Sequence, residues 1–204
     1  MQLARQEGYE IVIEEPGKKA SDKSTLHFVQ SGEAVRAVYE LRYGATLTEF
    51  QPTLSTAKQV SSVKVNGWNE AKGERIEVEV DQSSLTGAQG LKSKLMPGTT
   101  NPVKDRKHVL TNQPVRDKQT AHAVAAAQLN SINQELVTGT GSVVGLPELR
   151  AGSQVYLWGL GKRFSGRYFI TGSTHTIGMS GYTTQFECRL EELETDPHED
   201  KKKS

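Results

Sequence analysis

Residues 182–190 alternate apolar and polar side chains without interruption, which is the pattern of a β-strand with one buried face. The apolar face carries Tyr182, Thr184, Phe186, Cys188 and Leu190. Similar alternation occurs at 63–65, 76–80 and 167–177, and residues 155–158 form a short apolar run typical of a buried strand. A chain with this many alternating segments is predicted to be mainly β.

One segment has helical rather than strand periodicity. Asp117 is a suitable N-cap, and a helix is predicted over 118–136 because apolar side chains follow at three- and four-residue spacing. The stripe consists of Ala121, Val124, Ala125, Leu129, Ile132 and Leu136. Its many alanines suit close packing on a sheet.

The patterns predict a mainly β (α+β) protein with two parts. Residues 1–37 are expected to form a small, partial α+β segment, and residues 38–192 a small antiparallel β-barrel or sandwich of about seven strands with the helix packed outside. Within the barrel, residues 82–116 have no period and many basic side chains, so they are expected to be a long connection. Residues 193–204 are expected to be a charged, disordered tail.

The chain is close to neutral overall. Lys and Arg number 25 and Asp and Glu number 24, for a formal net charge of +1. No global electrostatic footprint for nucleic acid or an anionic membrane follows from this balance. The apolar runs are shorter than the roughly 18 residues that a membrane-spanning helix needs, and the single cysteine excludes an internal disulfide.

No motif in the sequence predicts catalysis, a metal or a cofactor. The segment Gly159–Gly166 lacks the Walker A spacing, and strands rather than a helix are expected on both sides of it. The histidines lack metal-ligand spacing, and no Gly-x-Ser-x-Gly elbow occurs. Adjacent glutamates at 14–15 and 191–192 point to opposite faces of a strand and do not form a carboxylate pair. Catalytic, cofactor and metal residues are therefore predicted to be none.

The best candidates for a functional surface are residues that suit a protein interface. Trp68 lies at the end of a predicted hairpin strand, and the segment 159–166 places exposed basic side chains beside an aromatic one. Aromatic and arginine side chains are the usual anchors of interfaces. The candidate interface residues are Trp68, Gly159, Gly161, Lys162, Arg163, Phe164 and Gly166. The alternative for Trp68 and Phe164 is that they cap their own barrel.

Several segments in a fixed order resemble a known family. They are LARQEGY at 3–9, STAKQV at 55–60, VKVNGWN at 63–69, LRAGS at 149–153, GLGKRFSGRY at 159–168, THT at 174–176 and GYTTQF at 181–186. This series resembles the C-terminal half of the phage late control D family, the baseplate hub of contractile tails. The resemblance spans roughly residues 1–192, and GLGKRFSGRY and VNGWN are its most specific parts.

The resemblance implies architecture rather than catalysis. Hubs of this family are trimers in which each protomer supplies two related β-barrels, so that a six-fold-like ring joins the tail tube to a trimeric spike. This chain is expected to hold the second barrel and part of the domain before it, and to act as a non-enzymatic structural subunit. Its implied partners are copies of itself, a separate spike protein, the tail tube and other baseplate proteins, with DNA at most as transiting cargo.

The implied location is the tail baseplate of a virion or a related contractile injection-system particle, assembled in the bacterial cytoplasm.

Two alternative functions stay open at this point. One is a glycan- or nucleic-acid-binding β-barrel, which depends on Trp68, Trp158 and the basic connection. The other is a tail-associated cell-wall hydrolase component, which needs a carboxylate pair in a cleft.

Overall fold

The computed structural model describes residues 4, 9–14, 23–30, 38–85, 106–179 and 181–197. Along these residues lie eleven strands, one α-helix and a 3-10 turn at Gln82–Ser84. The predicted mainly β, α+β fold class is therefore confirmed. The elements are β1 (Tyr9–Glu14), β2 (Thr25–Gln30), β3 (Val38–Arg42), β4 (Leu47–Leu54), β5 (Ser62–Asn69), β6 (Glu74–Asp81), β7 (Lys107–Gln113), α1 (Lys118–Gln134), β8 (Val137–Val144), β9 (Gln154–Trp158), β10 (Gly166–Gly178) and β11 (Gly181–Leu193).

The chain divides into two compact units. The first unit contains β1, β2, β5, β6, β7 and nearly all of α1, and the second contains β3, β4 and β8 to β11. This division differs from the expected segments 1–37 and 38–192. The hairpin at 62–81 and the helix form a core of their own instead of joining the later strands.

In the first unit, a three-stranded sheet in the order β6-β5-β7 packs against α1. The alternation predicted at 63–65 and 76–80 is correct, and the inward side chains meet the alanine stripe of the helix. The shared core consists of Val63, Val65, Ile76, Val80, Leu85, Val115, Ala121, Ala125 and Leu129. Small alanines at this contact let the helix lie close to the sheet.

Helix α1 begins as the sequence predicts. The carboxylate of Asp117 accepts a 2.7 Å hydrogen bond from the backbone N–H of Thr120, which is an N-cap. That backbone bond lowers the pKa of Asp117. The helix ends at Gln134, two residues before the predicted end, and the turn at Glu135 and Leu136 leads into β8.

A separate two-stranded ribbon, β1 paired with β2, also belongs to the first unit. It confirms the predicted strand at 9–14 and its return strand at 26–29. Tyr9 and Phe28 stack on one face with their ring centroids 4.7 Å apart. Ile13 and Leu26 are exposed on the same face, so the ribbon presents apolar side chains to solvent.

In the second unit, six strands pair in the order β3-β9-β10-β11-β8-β4. β10 and β11 form a long hairpin, as their alternation predicts. Phe50 and Tyr168 pack edge to face in the interior at 5.6 Å. The largest fully buried side chains of this unit are Tyr168, Phe186, Leu47, Leu136, Leu149, Leu157, Ile170 and Leu190.

The expected antiparallel barrel needs correction. β3 and β4 are the two edges of the six-stranded sheet, and one bridge between Tyr43 and Leu47 joins them across a short turn. Among the described residues these edge strands do not pair along their length, so the sheet is not a closed barrel. Two pairings, β3 with β9 and β5 with β7, are parallel. Alternation shows which face of a strand is buried but not which strand lies beside it.

The connection expected over 82–116 also needs correction, because it contains strand β7 at 107–113. In the described sheet, β7 is an edge strand that pairs only with β5. Its sequence therefore does not need a continuous alternation of apolar and polar side chains. Residues 86–105 of that expected connection lie outside the described residues.

The C-terminal segment is more ordered than expected at its beginning. β11 continues to Leu193, and the carboxylate of Asp196 makes two hydrogen bonds of 2.7 and 3.0 Å to the guanidinium of Arg42. Asp196 is only 4% exposed. This bidentate contact fixes residues 194–197 against β3, and residues 198–204 of the predicted tail lie outside the described part.

Candidate assembly interface

The segment between β9 and β10, residues 159–165, is a tight turn and is called here the β9–β10 turn. Gly159 and Gly161 have φ values of +79° and +73°, which favour glycine. The backbone N–H of Ser165 donates to the carbonyl of Gly161 at 3.0 Å, and Ser165 Oγ accepts from the N–H of Leu160 at 3.1 Å. These bonds give the turn a single defined conformation.

Gly166 begins β10, and the backbone at the end of β11 lies so close to it that a larger side chain does not fit. Its φ is +153°, and a Cβ at this position would lie 2.1 Å from the carbonyl oxygen of Glu192. The N–H of Glu194 donates to the carbonyl of Ser165 at 3.2 Å. The turn is therefore attached to the end of β11 as well as to its own strands.

The side chains of the turn divide between the interior and solvent. Phe164 is half-buried, and its carbonyl accepts a 2.7 Å hydrogen bond from the hydroxyl of the buried Tyr168. Lys162 and Arg163 are exposed, and neither makes an ion pair with any residue of the described chain. The turn therefore presents two exposed cations that have no anionic partner among the described residues.

Trp68 lies on a different surface, in the first unit. It is 55% exposed near the end of β5, where its Cα partner on β6 is Arg75. It is thus not a core residue of the sheet that carries it. The structure brings the five candidate residues of 159–164 and Gly166 together, whereas it places Trp68 on the other compact unit.

Charged side chains lie beside Trp68 on the same face of the three-stranded sheet. Lys64 forms an ion pair with Glu77, and Lys107 lies 2.8 Å from Glu79. A hydrogen bond from Lys64 lowers the pKa of Glu77, and one from Lys107, followed by one from Ser62, lowers the pKa of Glu79. The predicted charge complementarity of the two hairpin strands is therefore present, with Lys107 of β7 as an added partner.

The second unit has a groove that the sequence did not predict, called here the polar groove. It has a volume of about 410 Å³ on the outer face of the six-stranded sheet. Its polar lining includes Glu49, Gln51, Thr140, Thr174, Gln185 and Glu187. The alternation of β11 indicated that Gln185 and Glu187 face outward, but no local signal brought β4 to the same surface.

The strand register explains how the polar groove forms. Glu49, Ser142, Gln185 and Thr174 are successive partners across β4, β8, β11 and β10, and they form one row. Gln51, Thr140, Glu187 and Gly172 form the adjacent row. Irregularities in the pairing lie between Leu47 and Glu49 and between Ile170 and Gly172, beside these rows. β-bulges of this kind bend strands and make a sheet surface concave.

The remaining polar groups give no sign of catalysis in the described chain. Cys188 is buried, and burial raises its pKa, so it is an inert core thiol. His175 contacts the hydroxyls of Tyr182 and Thr184 at 2.9 and 3.0 Å, within its own hairpin. Among the described residues, no group of His, Cys, Asp or Glu could hold a metal ion, and no helix is long and apolar enough to cross a membrane.

The alternative function, binding of a glycan or a nucleic acid, depends on exposed rings at Trp68 and Trp158. Only one of these two residues is exposed. Trp158 is only 5% exposed and stacks on Tyr156 with ring centroids 5.5 Å apart. It belongs to the core of the second unit and cannot offer a face to a sugar or a base. Trp68 remains as an exposed aromatic side chain.

Comparison with solved structures identifies the fold. The 43 kDa tail protein of prophage MuSo2 from Shewanella oneidensis matches 93% of this chain at 12% identity, with a TM-score of 0.63. The tail protein from Neisseria meningitidis MC58 matches 93% at 13% identity, with a TM-score of 0.59. The virion of a native gene transfer agent particle contains a chain that matches 94% at 15% identity, with a TM-score of 0.52. The chain therefore has a fold that occurs in phage tail proteins.

The match covers only part of each of these proteins. The chain spans 52% of the Shewanella protein, 53% of the Neisseria protein and 38% of the gene transfer agent chain.

Comparison with curated proteins gives no match. A family model described as the Alg8 N-terminal domain matches residues 19–178, which is most of the sequence. The chain belongs to the Alg8 N-terminal domain family.

Proposed function

We propose that this chain is a structural subunit of a baseplate hub, which joins a tail tube to a central spike in a contractile phage tail or a related injection system. The observation that carries the proposal is the match of 93% of the chain to the tail proteins from Shewanella and Neisseria. The ordered segments that resemble the late control D family support the same role. The chain acts in the baseplate of the particle by binding its neighbours and has no enzymatic step.

The sheet edges favour a role in assembly. β3 and β4 end the six-stranded sheet, and residues 51–54 of β4 are exposed. Unpaired strand edges are templates for further chains, and closed assemblies cover them. Pro52 in β4 limits uncontrolled pairing because proline has no backbone N–H to donate. Such an edge suits a defined neighbour in a ring.

In the proposed assembly, three copies surround the axis of the tail. Each copy supplies the C-terminal half of a hub protomer, with the spike on one side, the tail tube on the other and further baseplate proteins around it. Trp68 and Phe164 anchor contacts between chains. The exposure of Trp68 and the half-burial of Phe164 support this assignment, since a core residue is buried in its own unit.

The test is the double variant Trp68→Ala with Phe164→Ala, expressed in cells that make the particle. We expect the variant chain to keep its fold, measured by circular dichroism, and to be lost from purified particles, measured by quantitative mass spectrometry. Ile177→Ala is the matched control because Ile177 is also an exposed apolar residue and lies outside the sheet edges, the polar groove and the β9–β10 turn. If the double variant unfolds, Trp68 and Phe164 are core residues. If it is incorporated into particles normally, the contacts between chains lie elsewhere.

A further inference from the structure

We propose that the polar groove of one copy receives the β9–β10 turn of a neighbouring copy, so that Lys162 and Arg163 contact Glu49 and Glu187. This inference depends on the proposed role as a ring subunit and specifies which surfaces meet.

The groove contains two carboxylates that have no cationic partner among the described residues. Its lining contains no Lys, Arg or His, and neither Glu49 nor Glu187 makes an ion pair with the described chain. Glu49 accepts a 2.7 Å hydrogen bond from the amide of Gln51, which orients it on β4. Glu187 lies beside Gly172, since its Oε2 is 3.6 Å from the position of a Cβ on that glycine. The two acidic residues are two strands apart, roughly 10 Å across the sheet.

The β9–β10 turn offers the complementary charges. Lys162 and Arg163 are exposed and have no anionic partner in the described residues, and they give the turn two positive charges against the two negative charges of the groove. The hydrogen bonds at Ser165 and Tyr168 hold the backbone of the turn before any contact forms. A preformed loop loses little conformational freedom on docking, which favours binding.

The two surfaces cannot meet within one copy. The turn ends at Ser165, and the nearest β10 residue of the groove is Gly172, six residues beyond Gly166 on the same strand. Six strand residues span roughly 20 Å, which exceeds the reach of a lysine or arginine side chain. The contact therefore joins different surfaces of two copies. Contacts of this head-to-tail kind repeat from copy to copy and close into a ring when the rotation permits.

Charge reversal tests the contact directly. Lys162→Glu with Arg163→Glu gives a chain whose turn and groove are both acidic, and Glu49→Lys with Glu187→Lys gives a chain in which both are basic. We expect each variant alone to self-associate at least about tenfold more weakly than the natural chain in analytical ultracentrifugation. The chain that carries all four substitutions should recover association because its turn again faces a groove of opposite charge. An equal mixture of the two variants should recover only the contacts between unlike chains, which are two of the three contacts in a three-membered ring.

A matched control reverses exposed charges outside these surfaces. Lys72→Glu with Glu148→Lys should leave association unchanged, since both residues are exposed and outside the groove and the turn. Carbodiimide coupling of mixed light and heavy isotope-labelled chains should link Lys162 of one copy to Glu49 or Glu187 of another. Coupling only to a different protein of the particle, or no self-association at any accessible concentration, overturns the inference.

The result also separates this inference from the proposed function. If charge reversal leaves association and particle incorporation unchanged while Trp68→Ala with Phe164→Ala abolishes incorporation, the hub role stands and the groove contact is wrong. If the natural chain is absent from purified particles, the proposed function fails whatever the charge variants do.

Discussion

At the scale of single residues, glycine is needed for different reasons at Gly161, inside the β9–β10 turn, and at Gly166, directly after it. Gly161 needs only a positive φ, because no atom lies within 4 Å of the position of its Cβ. Gly166 has both a positive φ and a backbone oxygen at 2.1 Å from that position. Substitution should therefore be tolerated at the first position far better than at the second.

Gly166→Ala should lower the free energy of unfolding of the second unit by at least about 2 kcal/mol, because β10 and the segment after β11 must separate. Gly161→Ala, the control, should cost about 1 kcal/mol from backbone strain alone. Urea unfolding followed by the fluorescence of Trp158, in a Trp68→Phe background, reports on this unit. Equal losses for the two variants would show that the close approach is not maintained in solution.

Asp117 is the second residue whose contribution to the stability of the fold can be measured separately. Asp117→Ala removes the hydrogen bond to the N–H of Thr120 and should reduce the stability of the first unit by about 1 kcal/mol. Asp117→Asn keeps a capping oxygen and is the control. Faster hydrogen exchange at the first turn of α1 in the alanine variant, but not in the asparagine variant, is the expected result. Similar exchange in all three proteins contradicts the cap.

At the scale of elements, the three-stranded sheet should be sensitive to acid. Ion pairs with Lys64 and Lys107 lower the pKa values of Glu77 and Glu79 in the folded chain. A carboxylate with a lowered pKa stabilises the fold at pH values above its ordinary range. That contribution is lost as pH falls through the lowered pKa.

We expect the stability of the first unit to decrease as pH falls from about 5 towards 2. The double variant Glu77→Gln with Glu79→Gln should show a shallower decrease, because it lacks two of the groups that take up protons. Glu70→Gln with Glu74→Gln is the control, since no ion pair of these residues occurs in the described chain. Identical pH profiles for all these proteins would show that the pairs contribute nothing.

The elements also show what the sequence could predict. The β10–β11 hairpin, the β5–β6 hairpin and α1 were predictable, because each has a clear period and a nearby turn or cap. β4 and β7 were not predicted, since β4 contains Pro52 and each is an edge strand with a weaker pattern. The polar groove was missed because Glu49 and Glu187 are far apart in the chain and share one surface only through two strand pairings, β4 with β8 and β8 with β11.

At the scale of the whole molecule, the chain forms two compact units whose exposed features suit contacts with other chains. The first unit presents Trp68 and the apolar face of the β1–β2 ribbon, and the second presents the β9–β10 turn, the polar groove and the edge of β4. The fold, the exposed edges and the complementary charges therefore support one proposal, a structural role in a tail baseplate.

The most direct test of that role is a cryo-electron microscopy reconstruction of the particle purified from cells that make this chain. The account predicts density for three copies around the tail axis, between the tube and the spike, with the β9–β10 turn of one copy in the polar groove of the next. A particle without this chain, or density for it away from the axis, would contradict the proposed function.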